Sequence, residues 1–359
     1  MHKQYMDLAI QEAKKGTYTT YKNPRVGAVL VKNDKIIATG AHLAYGQPHA
    51  ERHVLTQCES PEDVHNSTLY VTLEPCHHFG KQPPCTQAVV ESGITRVVIG
   101  QLDPNPLVSG QGKAYLESCG IEVIVGIQEQ EVRALNRAYL TFYEQNRPYV
   151  VLKQAITLDG KISIVHNQRT NITSVDAIAQ VRKERAYYQA ILVGSQTVLA
   201  DNPSLLTTES TKFPPLRIVL DRTGRLFSNL TYAIFQETNV PVWIFTKYAS
   251  IPKLPKHVQV CQLTTDDSIT EVLMYLKREG VQSVYVEGGA HIHNAFLQAD
   301  YVDEVITYLS PTLIGGNSVS SFFDHTTVPT MKKLSLHHIE LVGEDLKIVA
   351  RRDRPCLQA

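Results

Sequence analysis

The sequence predicts two α/β units in tandem, the first a three-layer domain with helices on both faces of its sheet. Three observations carry this. Apolar runs of strand length alternate with helix-period segments along the chain, glycine or acidic turns close several of the strands, and a polar stretch stopped by proline, Glu144-Gln145-Asn146-Arg147-Pro148, interrupts the pattern. At 359 residues the chain is too long for one ordinary domain, and the two units read as residues 1–146 and 147–359.

In the first unit, the segment from Tyr5 to Lys14 sets Tyr5, Leu8, Ala9 and Ala13 on one helical face, and Asn23-Pro24-Arg25 breaks it. Val26 to Val31 and Ile36 to Gly40 read as a hairpin turned by Lys32-Asn33-Asp34-Lys35. A helix follows His49, and Thr68 to Leu73 is a buried strand ending on the turn Glu74-Pro75-Cys76. After it come a helix to Gly93, the strand Arg96 to Ile99, a helix from Gly112 to Ser118, the strand Glu122 to Val125, and one helix bearing Val132, Leu135, Tyr139 and Phe142.

The second unit opens with the strand Tyr149 to Lys153. Further strands are expected at Ala190 to Val193, Leu216 to Leu220, Val240 to Phe245, Ser283 to Val286 and Val302 to Leu309, with helices over Asp176 to Tyr188, Ser268 to Glu279 and His291 to Gln298. Several strands end in turns suited to ligands: Gly194-Ser195, Asp221-Arg222-Thr223-Gly224 and Glu287-Gly288-Gly289. A second glycine pair stands at Ile314-Gly315-Gly316. Paired glycines before a helix let backbone amides approach a phosphate, although they serve a tight turn equally well. No Gly-x-Gly-x-x-Gly occurs, so a Rossmann dinucleotide site has no support.

The chemistry concentrates between His49 and Cys85. His49, Cys76 and Cys85 form a three-ligand zinc set of the kind that leaves one position open for catalysis. Glu51, two residues past His49, is then free to move a proton from water to a leaving amine, which describes a hydrolytic deaminase. The cysteines are nine positions apart instead of the usual three, and the loop between them carries Gly80, Pro83 and Pro84, a rigid turn able to hold substrate contacts. A structural zinc would normally take a fourth Cys or His and would leave Glu51 without a task. Asn23 and His42 are expected to reach the same pocket, and His78 and Lys81 to meet an anion there. A turn asparagine and a surface histidine are the bland readings of the first two.

Composition narrows the partners. Lys plus Arg and Asp plus Glu both number 35, so the net charge is zero, which favours a small-molecule substrate over nucleic acid. No apolar run approaches a membrane span and the start lacks a signal-peptide core, so a cytoplasmic protein is expected. Six scattered cysteines form no disulfide framework, and Cys58, Cys119, Cys261 and Cys356 read as ordinary thiols.

An ordered set of motifs resembles one known family. In the first half these are Asn23-Pro24-Arg25-Val26-Gly27-Ala28-Val29, Gly40-Ala41-His42, His49-Ala50-Glu51, Val71-Thr72-Leu73-Glu74-Pro75-Cys76 through Pro83-Pro84-Cys85, and Asp103-Pro104-Asn105-Pro106. In the second they are Leu158-Asp159-Gly160-Lys161, Ile172-Thr173-Ser174, Ile191-Leu192-Val193-Gly194, Thr197 through Pro203, and Val286-Glu287-Gly288-Gly289. The family is the bifunctional riboflavin-biosynthesis group RibD (RibG), a diaminohydroxyphosphoribosylaminopyrimidine deaminase fused to a 5-amino-6-(5-phosphoribosylamino)uracil reductase. The resemblance implies a cytidine-deaminase-like first half and a dihydrofolate-reductase-like second half, with Zn2+ and NADPH as cofactors. It makes His49, Cys76 and Cys85 the zinc ligands and Glu51 the proton shuttle, with Asn23, His42, His78 and Lys81 on the pyrimidine substrate. In the reductase half it places Lys153, Arg169, Arg185, Leu205, Thr208 and Glu287 near substrate. Ile156, Asn171, Thr197, Asp201, Arg222, Gly288 and Gly289 then lie near NADPH. A homo-oligomer, dimer or tetramer, is expected.

The chain departs from the family at Asn171, where many relatives carry Trp, and at Thr208, where they carry Arg; Arg169 or Lys212 could replace the cation. Two other functions fit parts of the sequence. One is a nucleic-acid base deaminase with a binding module, against which the zero net charge speaks. The other is a monofunctional deaminase whose second half only builds the oligomer.

Overall fold

The structure, a computed structural model, describes residues 1–79, 83–166, 168–322 and 331–352. The chain divides into two compact units, Met1–Asn146 and Arg147–Ala359.

The first unit runs α1 (His2–Ala13), β1 (Gly27–Lys32), β2 (Lys35–Ala41), α2 (Ala50–Thr56), α3 (Pro61–Val64), β3 (Thr68–Leu73), α4 (Cys85–Glu91), β4 (Arg96–Gln101), α5 (Gln111–Ser118), β5 (Glu122–Val125), α6 (Glu129–Leu135) and α7 (Arg137–Glu144). Asn33 and Asp34, both at positive φ (49° and 61°), make the tight turn between β1 and β2. The sheet order is β2-β1-β3-β4-β5, antiparallel across β1 and parallel from β3 to β5. Alternate residues of β1 feed two cores. Ala28 and Leu30 pack with Ala50 and Val54 of α2, Val89 of α4 and Leu116 of α5. Val29 and Val31 pack with Met6, Ala9 and Ile10 of α1 and with Val132 and Leu135 of α6. A sheet buried on both faces in this way is the middle of three layers.

The helix expected across Val132 to Phe142 is two, broken at Asn136 (φ −126°, ψ 38°). Its side chain turns to the backbone of Arg25, accepting from the Arg25 N–H at 2.8 Å and donating to the Arg25 carbonyl at 2.9 Å. A long-range partner has taken the asparagine out of the helix.

The second unit holds β6 (Tyr149–Thr157), β7 (Lys161–Ser163), β8 (Ala190–Gly194), β9 (Leu216–Leu220), β10 (Val242–Thr246), β11 (Val258–Gln262), β12 (Ser283–Val286), β13 (Glu304–Ser310), β14 (Val319–Ser320), β15 (Ser335–Val342) and β16 (Asp345–Arg351). Its helices are α8 (Val175–Glu184), α9 (Ser195–Asp201), α10 (Ala233–Gln236), α11 (Ser268–Arg278) and α12 (Ala290–Gln298). Nine strands form one sheet in the order β11-β10-β9-β8-β12-β6-β13-β16-β15, while β7 pairs with β14. The strands from β11 to β13 are parallel, and β16 and β15 close one edge antiparallel. Side chains of α11 and α12, among them Val272, Leu276 and Phe296, cover one face together with Leu152, Leu192, Ile218 and Val286.

Sequence patterning did not announce β7, β11, β14, β15, β16, α3, α9 or α10. β15 exposes Leu336, Ile339 and Leu341 along with its polar residues, so no apolar alternation marks it. Arg147, expected in a polar linker, is buried and pairs bidentately with Asp303 at 2.6 Å, which anchors the start of the second unit. Among the described residues no helix is long and apolar enough to cross a membrane.

Candidate active sites

In the first unit, three pieces of chain bring one donor each. His49 is the extended residue (φ −70°, ψ 163°) that starts α2, Cys76 follows the end of β3, and Cys85 opens α4. The His49 Nδ1 lies 3.5 Å from the Cys76 Sγ and 3.4 Å from the Cys85 Sγ, and the three donor atoms fall within 4.8 Å of one another. Tetrahedral zinc with bonds of roughly 2.3 Å to sulfur and 2.0 Å to nitrogen spaces N and S donors by roughly 3.5 Å, so these residues fit the ion. The Cys85 N–H also points at the Cys76 sulfur, 3.4 Å away. The Cys76 thiol is held down at about 4, first by the hydrogen bond from Cys85, against burial and with help from His49. Cys85, the donor in that bond and buried, is pushed up. A zinc ion would take both as thiolates.

Glu51 is 3 % exposed and lies in the first turn of α2. Burial drives its carboxyl up to about 7, with the His49 charge opposing. A carboxyl titrating there is matched to proton transfer near neutral pH.

Asn23 and His42 meet beside these groups. The Asn23 Nδ2 is 3.1 Å from the His42 Nε2, and the His42 Nδ1 is 3.1 Å from the carbonyl of Pro48, next to His49. The rings of His42 and His49 stand edge to face at 5.3 Å. Burial lowers the His42 pKa, which keeps the ring neutral. His78 is exposed near the same turn, and Lys81 lies outside the described residues.

In the second unit, a cavity of about 640 Å³ opens beside the carboxyl ends of β8 and β12, within the roughly 300–1,000 Å³ range of small-molecule sites. Of the residues singled out in the sequence, Lys153, Arg169, Asn171, Arg185, Thr197, Asp201, Leu205, Glu287, Gly288 and Gly289 line it. Ile156 and Thr208 are not among its lining residues, and Arg222 lines a neighbouring cavity of about 670 Å³. Arg169 is on the wall and its charge acts on Asp201, whereas Lys212 sits over the Phe213 ring and does not line the cavity.

At the polar end of this cavity Arg185 pairs bidentately with Glu287, at 2.7 and 2.9 Å, and donates to the Leu206 carbonyl at 2.8 Å. Burial alone would raise the Glu287 carboxyl, but Arg185 wins and holds it below the ordinary carboxylate value. Burial pulls Lys153 down, with Glu287 opposing. Two residues past Glu287, Gly289 begins α12 with an extended backbone (φ −79°, ψ −176°) and open space where a Cβ would stand. That is the cradle a phosphate needs: bare backbone at a helix start.

The sequence reading missed several contributors. His293, one turn into α12, lines the cavity, and burial pushes its pKa down to about 4, so the ring is neutral. The segment from β7 to Thr170 supplies another wall through Ile162, Ser163 and Thr170. In the first unit the buried Glu74 accepts from the backbone N–H groups of Asp103, Gly110 and Lys113 at 2.9–3.1 Å, fastening the turn that delivers Cys76. Its place directly before Pro75-Cys76 was the one available signal.

Comparison with known proteins agrees with this division. Residues 1–101 match the family described as the cytidine and deoxycytidylate deaminase zinc-binding region, and residues 148–348 match the RibD C-terminal domain. Fold and family together define a bifunctional enzyme, a cytidine-deaminase-like unit followed by a dihydrofolate-reductase-like one. The riboflavin biosynthesis protein RibD of Bacillus amyloliquefaciens is 41 % identical over 98 % of this chain and 96 % of its own length, and that of Aquifex aeolicus is 38 % identical over 98 % of each. The chain belongs to the RibD family of riboflavin biosynthesis. Among solved structures, Acinetobacter baumannii RibD superposes with a TM-score of 0.87 at 33 % identity, over 98 % of this chain and 99 % of that one. A Thermotoga maritima protein described as a diaminohydroxyphosphoribosylaminopyrimidine deaminase/5-amino-6-(5-phosphoribosylamino)uracil reductase superposes at 0.84 with 38 % identity, over 98 % and 99 %.

Proposed function

We propose that the first unit deaminates 2,5-diamino-6-(5-phosphoribosylamino)pyrimidin-4-one and that the second uses NADPH to reduce the ribose of the resulting 5-amino-6-(5-phosphoribosylamino)uracil to a ribityl chain. The observation that carries this reading is that each unit has a complete set of groups of its own. A buried carboxyl stands beside a three-donor metal set in the first, and a small-molecule cavity in the second joins a charged end to a glycine-opened helix start.

In the deaminase unit His49, Cys76 and Cys85 would hold zinc, which when bound would supply a Lewis acid that makes water a nucleophile near neutral pH. Glu51 is placed to take a proton from the attacking water and deliver it to the departing amine, and its raised pKa suits both directions of transfer. Asn23 holds the pyrimidine edge. In the reductase unit NADPH supplies hydride. Gly289 leaves room for its phosphates, while Lys153, Arg185 and Glu287 fix the polar substrate. Exposed Leu336, Ile339 and Leu341 on the edge strand β15 support assembly as a homo-oligomer, which light scattering of the purified chain measures.

NADPH-dependent turnover of the deaminated phosphoribosyl compound tests the reading. Consumption of NADPH with formation of the ribityl product supports it. A folded protein that deaminates but never oxidises NADPH supports the monofunctional alternative instead.

A further inference from the structure

Asn23 is held through its backbone, through its neighbour Arg25 and through its own side chain. Its backbone N–H donates to the Thr20 carbonyl at 3.0 Å. Two residues on, Arg25 is clamped by the reciprocal pair of hydrogen bonds from Asn136, at 2.8 and 2.9 Å, and its Nε donates to the Leu135 carbonyl at 3.1 Å. Asn136 therefore acts on this loop as a paired strand would, and Pro24 between them limits how the loop can move.

The third hold is His42. The Pro48 carbonyl can only accept, so the hydrogen of the imidazole must sit on Nδ1, 3.1 Å away. That leaves Nε2 as a lone pair. The Asn23 group facing it at 3.1 Å is consequently the amide N–H, and the amide oxygen is left over as the group available to a ligand. Reversing the amide would set two acceptors against each other.

We propose that Asn136 and His42 are positioning residues that hold Asn23 as a fixed hydrogen-bond acceptor, so that the deaminase site selects heterocycles presenting an N–H donor edge. This rests on the deaminase reading above, and it adds a selection rule. A 2-aminopyrimidin-4-one offers N–H groups at its ring nitrogen and exocyclic amine, which the oxygen can accept. A cytosine-type edge offers its amine N–H but a bare ring nitrogen beside it, one donor where the pyrimidinone presents two, and is disfavoured. The contact to the ring N–H exists in ground and transition states alike, so its loss raises KM more than it lowers kcat.

The test is a double-mutant cycle on the full-length zinc protein with the diaminopyrimidinone substrate: Asn136→Ala, Asn23→Ala and both together. Asn136→Ala is expected to raise KM by about fivefold or more, leave kcat within about twofold and leave zinc content unchanged, and to add nothing once Asn23 is alanine. A fully additive double mutant, or an unchanged KM in the single mutant, overturns the proposal. Should the alanine variant fail to fold, Asn136→Asp takes its place, since it keeps the acceptor for the Arg25 N–H and loses only the donor. A parent protein that does not turn over this substrate counts against the functional reading. The orienting role is then decided by a crystal structure of the variant, in which Asn23 released from His42 supports it and Asn23 unmoved overturns it.

Discussion

Replacing Gly289 by valine separates cofactor binding from folding, because this glycine is not required by the fold. Its φ of −79° and ψ of −176° are open to any residue, and an added Cβ meets nothing within 4 Å. Gly288 differs, since a Cβ there would stand 2.5 Å from the Ile292 Cβ. A side chain in a compatible backbone gains about 0.4–1 kcal/mol through the unfolded chain, but Gly289 is the N-cap of α12, where valine caps less well than glycine and offsets that gain. For a unit of this size the cofactor-free Tm should therefore stay within about 4 °C of the parent. The same side chain projects into the cavity at the start of α12, where the phosphates of NADPH are expected. A tenfold or greater rise in the NADPH requirement is predicted, a loss on the order of 1.4 kcal/mol. At NADPH well above its Kd, the ligand-dependent rise in Tm should shrink by about 3–6 °C. The assays are an NADPH titration of reductase turnover and thermal unfolding with and without NADPH, and deamination and zinc content should not change. A Gly289→Val protein that melts like the parent and gains the full NADPH-dependent rise refutes the placement of the cofactor.

Three further outcomes are expected. Cys85→Ser should lower both zinc content by metal analysis and deamination, because a three-donor site has no spare ligand, and full zinc occupancy would remove Cys85 from the set. Residues 1–146 expressed alone should deaminate without NADPH; an inactive but folded fragment would show that the first unit needs the second. The Glu287 carboxyl is lower in the folded chain than in the unfolded one, so its contribution is full above the unfolded value of about 4.3 and fades as pH falls through the folded value. The urea midpoint of the reductase unit should therefore drop on acidification below about pH 5. Glu287→Gln should flatten that drop, and an equally steep fall in this variant would place the dependence on another group.

Local signals carried the deaminase site well. His49, Glu51, Cys76 and Cys85 stand at element boundaries that proline, strand length and helix period mark in the sequence, and the fold gathers the three donors within 4.8 Å of one another. What stayed hidden depends on contacts far apart in the chain. Asn136 looks like an ordinary helical residue until Arg25, 111 positions away, claims its amide. Arg147 looks like a linker residue until Asp303 neutralises it. The edge strand β15 is held by ladder hydrogen bonds to β16, and β16 by those to β15 and β13, and exposure of β15 erased the alternation that would have marked it. In the reductase cavity, glycine turns pointed to Gly288 and Gly289, but only the coordinates distinguish the one that packs against Ile292 from the one that opens to solvent. Ile156 and Thr208 came from the family resemblance alone, and neither lines this cavity.

The central claim is that one chain carries two separate chemistries, and Glu51→Gln in the full-length protein tests it most directly. The variant should retain zinc and lose deamination by about 10²- to 10⁴-fold, the usual contribution of a positioned proton-transfer group. Given 5-amino-6-(5-phosphoribosylamino)uracil, it should still oxidise NADPH at the parent rate. Failure of the folded, zinc-loaded variant to reduce that compound, or retention of deamination, would contradict the account.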